Sequence, residues 1–449
     1  MGVTHQAEAG DRASRRPVVG MVGAGQLARM TAQAAIGLGI GFRVLADNPD
    51  DSAAQICAGT RIGDYRSADD VLGFGAGCDV VTFDHEHVPG DHLSALEGLT
   101  AVRPGGPALR FAQDKSAMRD RLSALDSLRE LGVRCPRYRR VGSMAEIAEF
   151  AQFAAGRKAG GCAGPGAGPG AGAGWPVVLK ATSGGYDGKG VWICDNEDAA
   201  ADVLAHGLSL MAEEYLPFDR ELAVLVARSP QGQGAVYPVV QTIQENGICR
   251  EVIAPAPGLH PAVAATAQRA GLIIAAELGV TGLLAVELFA LGDGLILNEL
   301  AMRPHNCGHW TLDAARTSQF EQHLRAVLDL PLGAPAMTAE AAVMVNVLGG
   351  ADPDLHSRLV HVMAADPGVK VHLYGKAVRP GRKVGHVTVA GQDVARLRDR
   401  GWRAANYLSH GTEEPAESAE PAGRAGVAGG GPAGGGGPAG RRGPAERSG

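Results

Sequence analysis

Hydrophobic positions along the chain change rhythm several times, and each change marks an element. An apolar run from Val18 to Val22 reads as a buried strand, and Leu27, Met30, Ala34 and Leu38 then recur at helical spacing. Apolar runs at Phe42–Ala46 and Val80–Phe83 predict a second and a third strand. Strands alternating with helices predict a small parallel α/β domain over residues 17–112. From Asp114 the pattern turns helical and stays so to about Phe153. Residues 160–174 are then Gly, Ala and Pro apart from Cys162, with glycine at every second position, which excludes collagen and predicts a flexible surface insertion. Strand character returns at Val177–Ala181 and alternates with helices to about Asp329, closing a second domain over 113–330. A third domain, 331–410, carries short strands (Val343–Val347, Val369–Tyr374, Val384–Val389) around one helix. The flanks, 1–16 and 411–449, hold too little apolar surface to offset the entropy of ordering, so disordered tails are expected.

Composition narrows the class. The net charge of -6 gives the chain as a whole no attraction for nucleic acid, so any anion site is local. Seven scattered cysteines without a CxxC pair read as reduced thiols in a cytoplasm. Residues 1–16 lack the apolar stretch of a secretory signal, and no apolar run approaches the ~18–20 residues of a membrane span. Only seven of the 42 basic residues are lysines (115, 158, 180, 189, 370, 376, 383), and five of them fall in the motifs below.

Gly23-Ala24-Gly25-Gln26-Leu27-Ala28 follows a strand and opens a helix, as in dinucleotide-binding turns, with Asp47 a candidate for the ribose acid. The same turn serves a phosphate, a substrate edge or the fold alone. Lys180 ends a strand, and Thr182–Gly190 (TSGGYDGKG) leads back into strand Val191–Cys194. Four glycines let backbone amides approach a polyphosphate there, and Lys180 and Lys189 add charge. Glu213-Glu214-Tyr215-Leu216 and Glu221 form an acidic turn whose meaning depends on its company. Glu287 and Glu299 lie on apolar strands joined by Leu291-Gly292-Asp293-Gly294 and are equidistant from Asp293. A hairpin symmetric about Asp293 places them opposite each other, where they repel unless a proton or a cation intervenes. Mg²⁺, which takes one or two carboxylates and phosphate oxygens, suits that pair. Arg303-Pro304-His305-Asn306-Cys307-Gly308-His309-Trp310 offers either a transition-metal set or a grip on a polar substrate. Glu86, between His85 and His87 at a strand end, is a candidate for substrate recognition, and Lys376 with Arg379–Lys383 is a candidate anion clamp.

In this order the motifs resemble the ATP-grasp superfamily. GAGQLARM, TFDHEHV, SGGYDGKG, NELAMRPHNCGHW and KAVRPGRKVGH are similar to the 5-(carboxyamino)imidazole ribonucleotide synthase family from about residue 18 to 410. The resemblance implies an ATP-grasp fold of α/β and α+β character, with an N-terminal parallel α/β domain and a small β-rich C-terminal domain. It implies a ligase that converts ATP, bicarbonate and 5-aminoimidazole ribonucleotide through carboxyphosphate, with Mg²⁺, no NAD, no biotin and no nucleophilic side chain, acting as a cytoplasmic homodimer. ATP would be held by Lys115, Lys180, Gly185, Tyr186, Asp187, Gly188, Lys189, Gly190, Val191 and the backbone of Glu213, Glu214, Tyr215 and Leu216. Glu221 would hold the ribose with Gln244 nearby, and Glu287 and Glu299, with Asn298, the metal. Glu86, Tyr186, Asp187, Lys189, Arg303, His305, Asn306, Lys376, Arg382 and Lys383 would grip the aminoimidazole nucleotide. Cys307 stands where the family usually has Ser, residues 126–129 look inserted, and 160–174 and the C-terminal tail are extra. A formate-dependent purine transformylase, a biotin carboxylase, an NAD(P)-linked oxidoreductase and a non-catalytic nucleotide sensor are the rival readings.

Overall fold

The computed structural model describes residues 16–155, 174–184 and 188–413. The expectations for the tails 1–16 and 411–449 and for insertion 160–174 therefore fall almost entirely outside the described residues. The N-terminal strands are β1 (Val18–Val22), β2 (Gly41–Ala46), β3 (Gly59–Ile62), β4 (Val80–Phe83) and β5 (Ala101–Val102). They form one parallel sheet in the order β3-β2-β1-β4-β5, with β1 central and almost fully buried. Strands β3 and β5 carry no apolar run, and pairing with β2 and β4 holds them in the sheet.

The stretch 114–153 is not one helical run. Helix Lys115–Ser123 stops at Ala124, and helix Asp126–Glu130 ends just before Gly132, whose φ of +74° closes it. Strands β6 (Val133–Arg134) and β7 (Tyr138–Val141) follow on either side of Pro136, which has no N–H to continue a helix. Arginines at 139 and 140 hide β7 from a hydrophobic reading, but its pairing with β10 (Leu210–Glu214) decides its conformation. With β8 (Val177–Ala181) and β9 (Val191–Cys194) they make an antiparallel sheet in the order β7-β10-β8-β9. Helices Met144–Ala155 and Glu197–Leu204 cover it through Ile147, Phe150, Leu179, Trp192 and Val203.

The third sheet is the spine of the molecule. Its strands are β11 (Arg220–Arg228), β12 (Gly234–Val236), β13 (Val240–Glu245), β14 (Ile248–Ala254), β15 (Gly282–Leu291) and β16 (Gly294–Ala301). β17 (Ala341–Leu348), β18 (Lys370–Leu373), β19 (Lys383–Gly391) and the short β6 complete it. The order is β18-β19-β17-β14-β13-β11-β15-β16-β6, with β12 beside β11, so the C-terminal strands extend this sheet. Two helices, His356–Ala365 and Val394–His410, accompany them where one was expected. Alternate residues of β11 and β15 bury two faces: Val224, Leu284 and Val286 against helix Pro261–Glu277, and Leu225, Leu283 and Ala285 against Trp310 and Met344.

Helix Gln319–Val327 bolts the N-terminal sheet to this spine. Phe320 packs with Leu27, Met30 and Tyr374, and Leu324 and Val327 pack with Val19, Ala35 and Val80. Buried His323 accepts the Leu283 N–H at Nδ1 (3.1 Å), which leaves its Nε2 to bond Thr82 Oγ1 (2.8 Å). Among the described residues no helix is long and apolar enough to cross a membrane.

The glycine turn after β1 is closed by the chain itself. Asp84, at the end of β4, accepts the Gly25 N–H (2.8 Å) and the Ala28 N–H (2.9 Å). A carboxylate thus occupies the helix N-terminus that a dinucleotide or phosphate would need, so the turn serves the fold. A Cβ on Gly25 would collide with Asp84 Oδ2. Gly25→Ala is expected to cost about 1–3 kcal/mol, read as a lower thermal midpoint; an unchanged midpoint would show that the turn tolerates a wider approach.

Candidate active site

β15 and β16 form a hairpin whose two-residue turn is Gly292-Asp293, with Leu291 opposite Gly294. Gly292 takes φ +56° at the first central position, as such a turn requires. The hairpin is therefore not symmetric about Asp293, and an unbroken ladder would set Glu287 opposite Asn298. A β-bulge intervenes: Leu288 pairs with Leu297 but Glu287 pairs with Glu299, which leaves Asn298 as the extra residue. The expected pairing of the glutamates is correct, and the bulge produces it.

The bulge also lets successive residues serve one cleft. Asn298 Oδ1 accepts from Lys180 Nζ (3.1 Å), while Glu299 Oε1 pairs with Lys115 Nζ. The two glutamates respond oppositely. Desolvation, then the charges of Glu299 and Glu221, push the Glu287 carboxyl up to about 8. Desolvation raises Glu299 as well, but Lys115 and Lys180 bring it below the usual carboxylate range. Both side chains open into the cleft, 24% and 41% exposed, so a ligand reaches them. The site is thus one charge short of ionising both carboxylates, and a hard dication fits that deficit. Among the described residues no group of three or more His, Cys, Asp or Glu forms a metal cage, so ligand oxygens would complete the coordination.

Lys180 and Lys115 stand on a buried ionic floor. Lys180 Nζ lies 2.7 Å from Glu213 Oε2, and Arg119 Nε donates to Glu213 Oε1 at 2.7 Å. Arg119 is fully buried and its Nη2 donates to the Asn298 carbonyl (2.6 Å), which ties the floor to the bulge. Burial raises the Glu213 carboxyl, yet Arg119 and Lys180 outweigh it and hold it at about 2. Burial keeps Lys180 below the usual ammonium range despite Glu213. Sequence reasoning missed Arg119, although Lys115 and Arg119 stand i, i+4 on one helix face. Glu214 is likewise committed, accepting from Arg134 Nη1 (2.5 Å), Arg137 N (2.9 Å) and Arg137 Nε (2.8 Å). Beyond it Tyr215 and Leu216 leave the strand, with backbone polar groups that a nucleotide base can use.

Glu221, on β11, shares a side-chain hydrogen bond with Gln244 on β13, and burial pushes its carboxyl up to about 7. In the glycine loop, Gly188, Lys189, Gly190 and Val191 are described, with Lys189 exposed; Gly185, Tyr186 and Asp187 lie outside the described residues.

Of the other predicted residues, Glu86, Arg303, His305 and Lys383 link to one another or to the carboxylate pair. Glu86 Oε2 accepts from Arg303 Nε (2.9 Å), while its buried Oε1 has no hydrogen-bond partner. His305 Nε2 is 3.5 Å from Glu287 Oε1, which places the 303–309 segment against the carboxylate pair. Burial, then the charges of Arg303 and Lys383, hold His305 at about 3, so its imidazole is neutral. Asn306 exchanges two amide hydrogen bonds with Asn346 (3.0 and 2.8 Å), a partner absent from the sequence reading. Lys383 bears electrostatically on Glu287 and His305. Lys376 bonds Gln26 of the glycine turn. Arg382 is exposed and donates to the Ala377 carbonyl (3.2 Å). His309 Nδ1 faces the Gln319 amide (3.0 Å), and it makes no metal set with His305 and Cys307.

The ionic floor predicts the acid limb of stability. The Glu213 carboxyl sits at about 2 against an ordinary 4.5. Its stabilising contribution is complete above pH 4.5 and is lost as pH falls through about 2. Glu213→Gln leaves Arg119 buried without its counter-charge and should cost about 3–5 kcal/mol at neutral pH. Denaturant titrations should show the wild-type decline between pH 4.5 and 2 flattened in the variant. Parallel curves would place the acid-labile charge elsewhere.

Three family descriptions match successive parts of the chain. These are the ribonucleotide synthetase preATP-grasp domain at 17–113, the ATP-grasp domain at 164–320 and the phosphoribosylaminoimidazole carboxylase C-terminal domain at 342–400. The chain is 51% identical over 405 residues to an N5-carboxyaminoimidazole ribonucleotide synthase of Mycobacterium tuberculosis (H37Rv), covering 88% of each chain. It resembles a carboxyaminoimidazole ribonucleotide synthase of Aspergillus clavatus complexed with ATP (TM-score 0.76, 32% identity, 88% of this chain and 98% of that one). A second structure from that organism, in complex with ADP and 5-aminoimidazole ribonucleotide, matches with TM-score 0.75 and 31% identity over 88% of this chain and 98% of that one. The bulged carboxylate hairpin, its lysines and the segment beside it thus sit in a chain that matches these enzymes nearly end to end, and it belongs to the N5-carboxyaminoimidazole ribonucleotide synthase family of ATP-grasp ligases.

Proposed function

We propose that the chain carboxylates 5-aminoimidazole ribonucleotide with bicarbonate at the expense of ATP, giving N5-carboxyaminoimidazole ribonucleotide, ADP and phosphate. The observation that carries this reading is the carboxylate pair Glu287/Glu299, flanked on one side by buried lysines and on the other by Arg303, Glu86 and His305. A nucleotide site and a polar-substrate site meet there at one pair of acids. Relatives named for this reaction, and the complexes with ATP and with ADP plus the aminoimidazole nucleotide, support it.

A bicarbonate oxygen attacks the γ-phosphorus, the bond to ADP breaks, and carboxyphosphate results. The exocyclic amine of the second substrate then attacks the carboxyl carbon, phosphate leaves, and the amine gives up a proton. Lys115 and Lys180 would neutralise the transferring phosphoryl group, Glu221 and Gln244 would hold the ribose, and the 182–190 loop would shield carboxyphosphate from water. Mg²⁺ held by Glu287 and Glu299 would supply charge neutralisation at the phosphates. Neutral His305 presents a polar contact between the carboxylates and the substrate, and Glu86 Oε1 has an acceptor to spare for a donor on the aminoimidazole. The described cysteines Cys57, Cys78, Cys135, Cys194, Cys249 and Cys307 are free thiols, which suits a cytoplasmic enzyme.

Incubation with labelled bicarbonate, ATP and the aminoimidazole nucleotide should transfer label to the acid-labile carbamate. Turnover with formate in its place would favour the transformylase reading. Glu299→Gln should lower turnover by about 100-fold or more with an unchanged melting profile, and near wild-type rates at saturating Mg²⁺ would remove the metal from this pair. Arg382→Ala should raise the KM for the aminoimidazole nucleotide by about tenfold, because a phosphate loses a bidentate partner. It should leave ADP binding alone and weaken the preference over the dephosphorylated riboside. A preserved preference would place the phosphate clamp elsewhere.

A further inference from the structure

The 303–309 segment carries Arg303 and His305 into the cleft but runs irregularly, with only a short 3-10 turn at Asn306–Gly308. Its backbone therefore needs partners that no neighbouring strand supplies. One side chain provides them. Gln319 is fully buried, and its Oε1 accepts the His305 backbone N–H at 2.8 Å while its Nε2 donates to the His305 carbonyl at 2.7 Å. That Nε2 also lies 3.0 Å from His309 Nδ1. The backbone N–H of Gln319 donates to Thr311 Oγ1 (2.9 Å), whose hydroxyl donates to the Gly308 carbonyl (2.6 Å). Residues 305, 308 and 309 are thus clamped by a single residue and its hydroxyl neighbour. The fit is tight enough that a Cβ on Gly308 would lie 2.5 Å from Gln319 Oε1. Because an amide nitrogen can only donate, His309 Nδ1 accepts, and the proton of the neutral ring sits on Nε2.

Gln319 also opens the helix that bolts the N-terminal sheet to the spine. Phe320, next in sequence, packs on Leu27 and Met30, and His323, one turn on, bonds Thr82 of β4. Three residues beyond that strand lies Glu86, the partner of Arg303. The same helix therefore holds both halves of the substrate grip.

We propose that Gln319 is a positioning residue for the aminoimidazole nucleotide. Its side-chain amide sets the backbone of His305 against the helix that also locates Glu86, so that the two sides of the substrate site keep one spacing. This rests on the reaction assigned above. Gln319 touches neither substrate, and its effect passes through His305 and Arg303.

The test compares Gln319→Leu, which removes both the acceptor and the donor, with Gln319→Glu, which keeps only the acceptor for the His305 N–H. Displacing a binding segment by an ångström costs orders of magnitude in rate. The leucine variant should therefore raise the KM for the aminoimidazole nucleotide by about tenfold or more, with the glutamate variant between it and wild type. The KM for ATP and the affinity for ADP should stay within about twofold. A purely structural role would lower the melting temperature and the active fraction but leave the substrate KM of the folded enzyme unchanged, and that result overturns the proposal. If the leucine variant does not fold, the glutamate variant is judged by the same split. Wild-type protein that fails to bind the aminoimidazole nucleotide would overturn the functional reading together with this proposal, whereas an unaltered KM in the variants overturns this proposal alone.

Discussion

Two carboxylates held face to face across a hairpin set the terms for the rest of this molecule. Glu287 and Glu299 are registered opposite each other by a bulge at Asn298, in a region where burial already disfavours charge. Neither can relax away, because β15 and β16 are both interior strands of the largest sheet, flanked by β11 and β6. The surroundings answer by splitting the pair. Lys115 and Lys180 draw the Glu299 carboxyl down, while burial and the neighbouring carboxylates push Glu287 up. A cation would complete the electrostatics of such a site, and the nearby lysines would suit the phosphates that accompany it.

The remaining architecture keeps the chemistry around that pair in place. Glu213 anchors Lys180 from below and shares Arg119 with the bulge carbonyl, so the ammonium and the carboxylates are fixed to one ionic network. From the other side, the helix Gln319–Val327 joins the parallel sheet to the spine and braces the segment that carries Arg303 and His305. The C-terminal strands β17 and β19 continue the same sheet, which brings Lys383 into electrostatic reach of Glu287. Elements more than 200 residues apart thereby act on one cleft, as in the Glu86–Arg303 pair with its separation of 217.

Much of this was legible in the sequence where local chemistry decides. The β8–β9 hairpin announced itself through apolar strands around a glycine-rich loop, and the β15–β16 hairpin through Leu-Gly-Asp-Gly between two apolar runs. The pairing of the glutamates was anticipated from a symmetry that the turn does not have; a single-residue bulge leaves no trace in spacing, and here it restored the expected partners. β7 stayed hidden because Arg139 and Arg140 mask a strand that exists through its pairing with β10. The glycine turn matched a dinucleotide fingerprint faithfully, but the residue that cancels its anion site, Asp84, lies 59 positions away from Gly25. Likewise the meaning of Glu213 depends on Arg119, 94 residues earlier. Local periodicity predicts elements, whereas the partner of a buried charge is a property of the folded chain.

A metal held between Glu287 and Glu299 would have to displace a proton from Glu287. Calorimetric titration of the protein with preformed Mg·ADP near pH 7, in buffers of different ionisation enthalpy, counts protons exchanged on binding. Burial and the charges of Glu299 and Glu221 push the Glu287 carboxyl up to about 8, so a dication held by this pair would expel a proton on binding near neutral pH. The account predicts release of roughly one proton in the wild type and close to none in Glu287→Gln. Binding of Mg·ADP to the wild type with no proton release would contradict it.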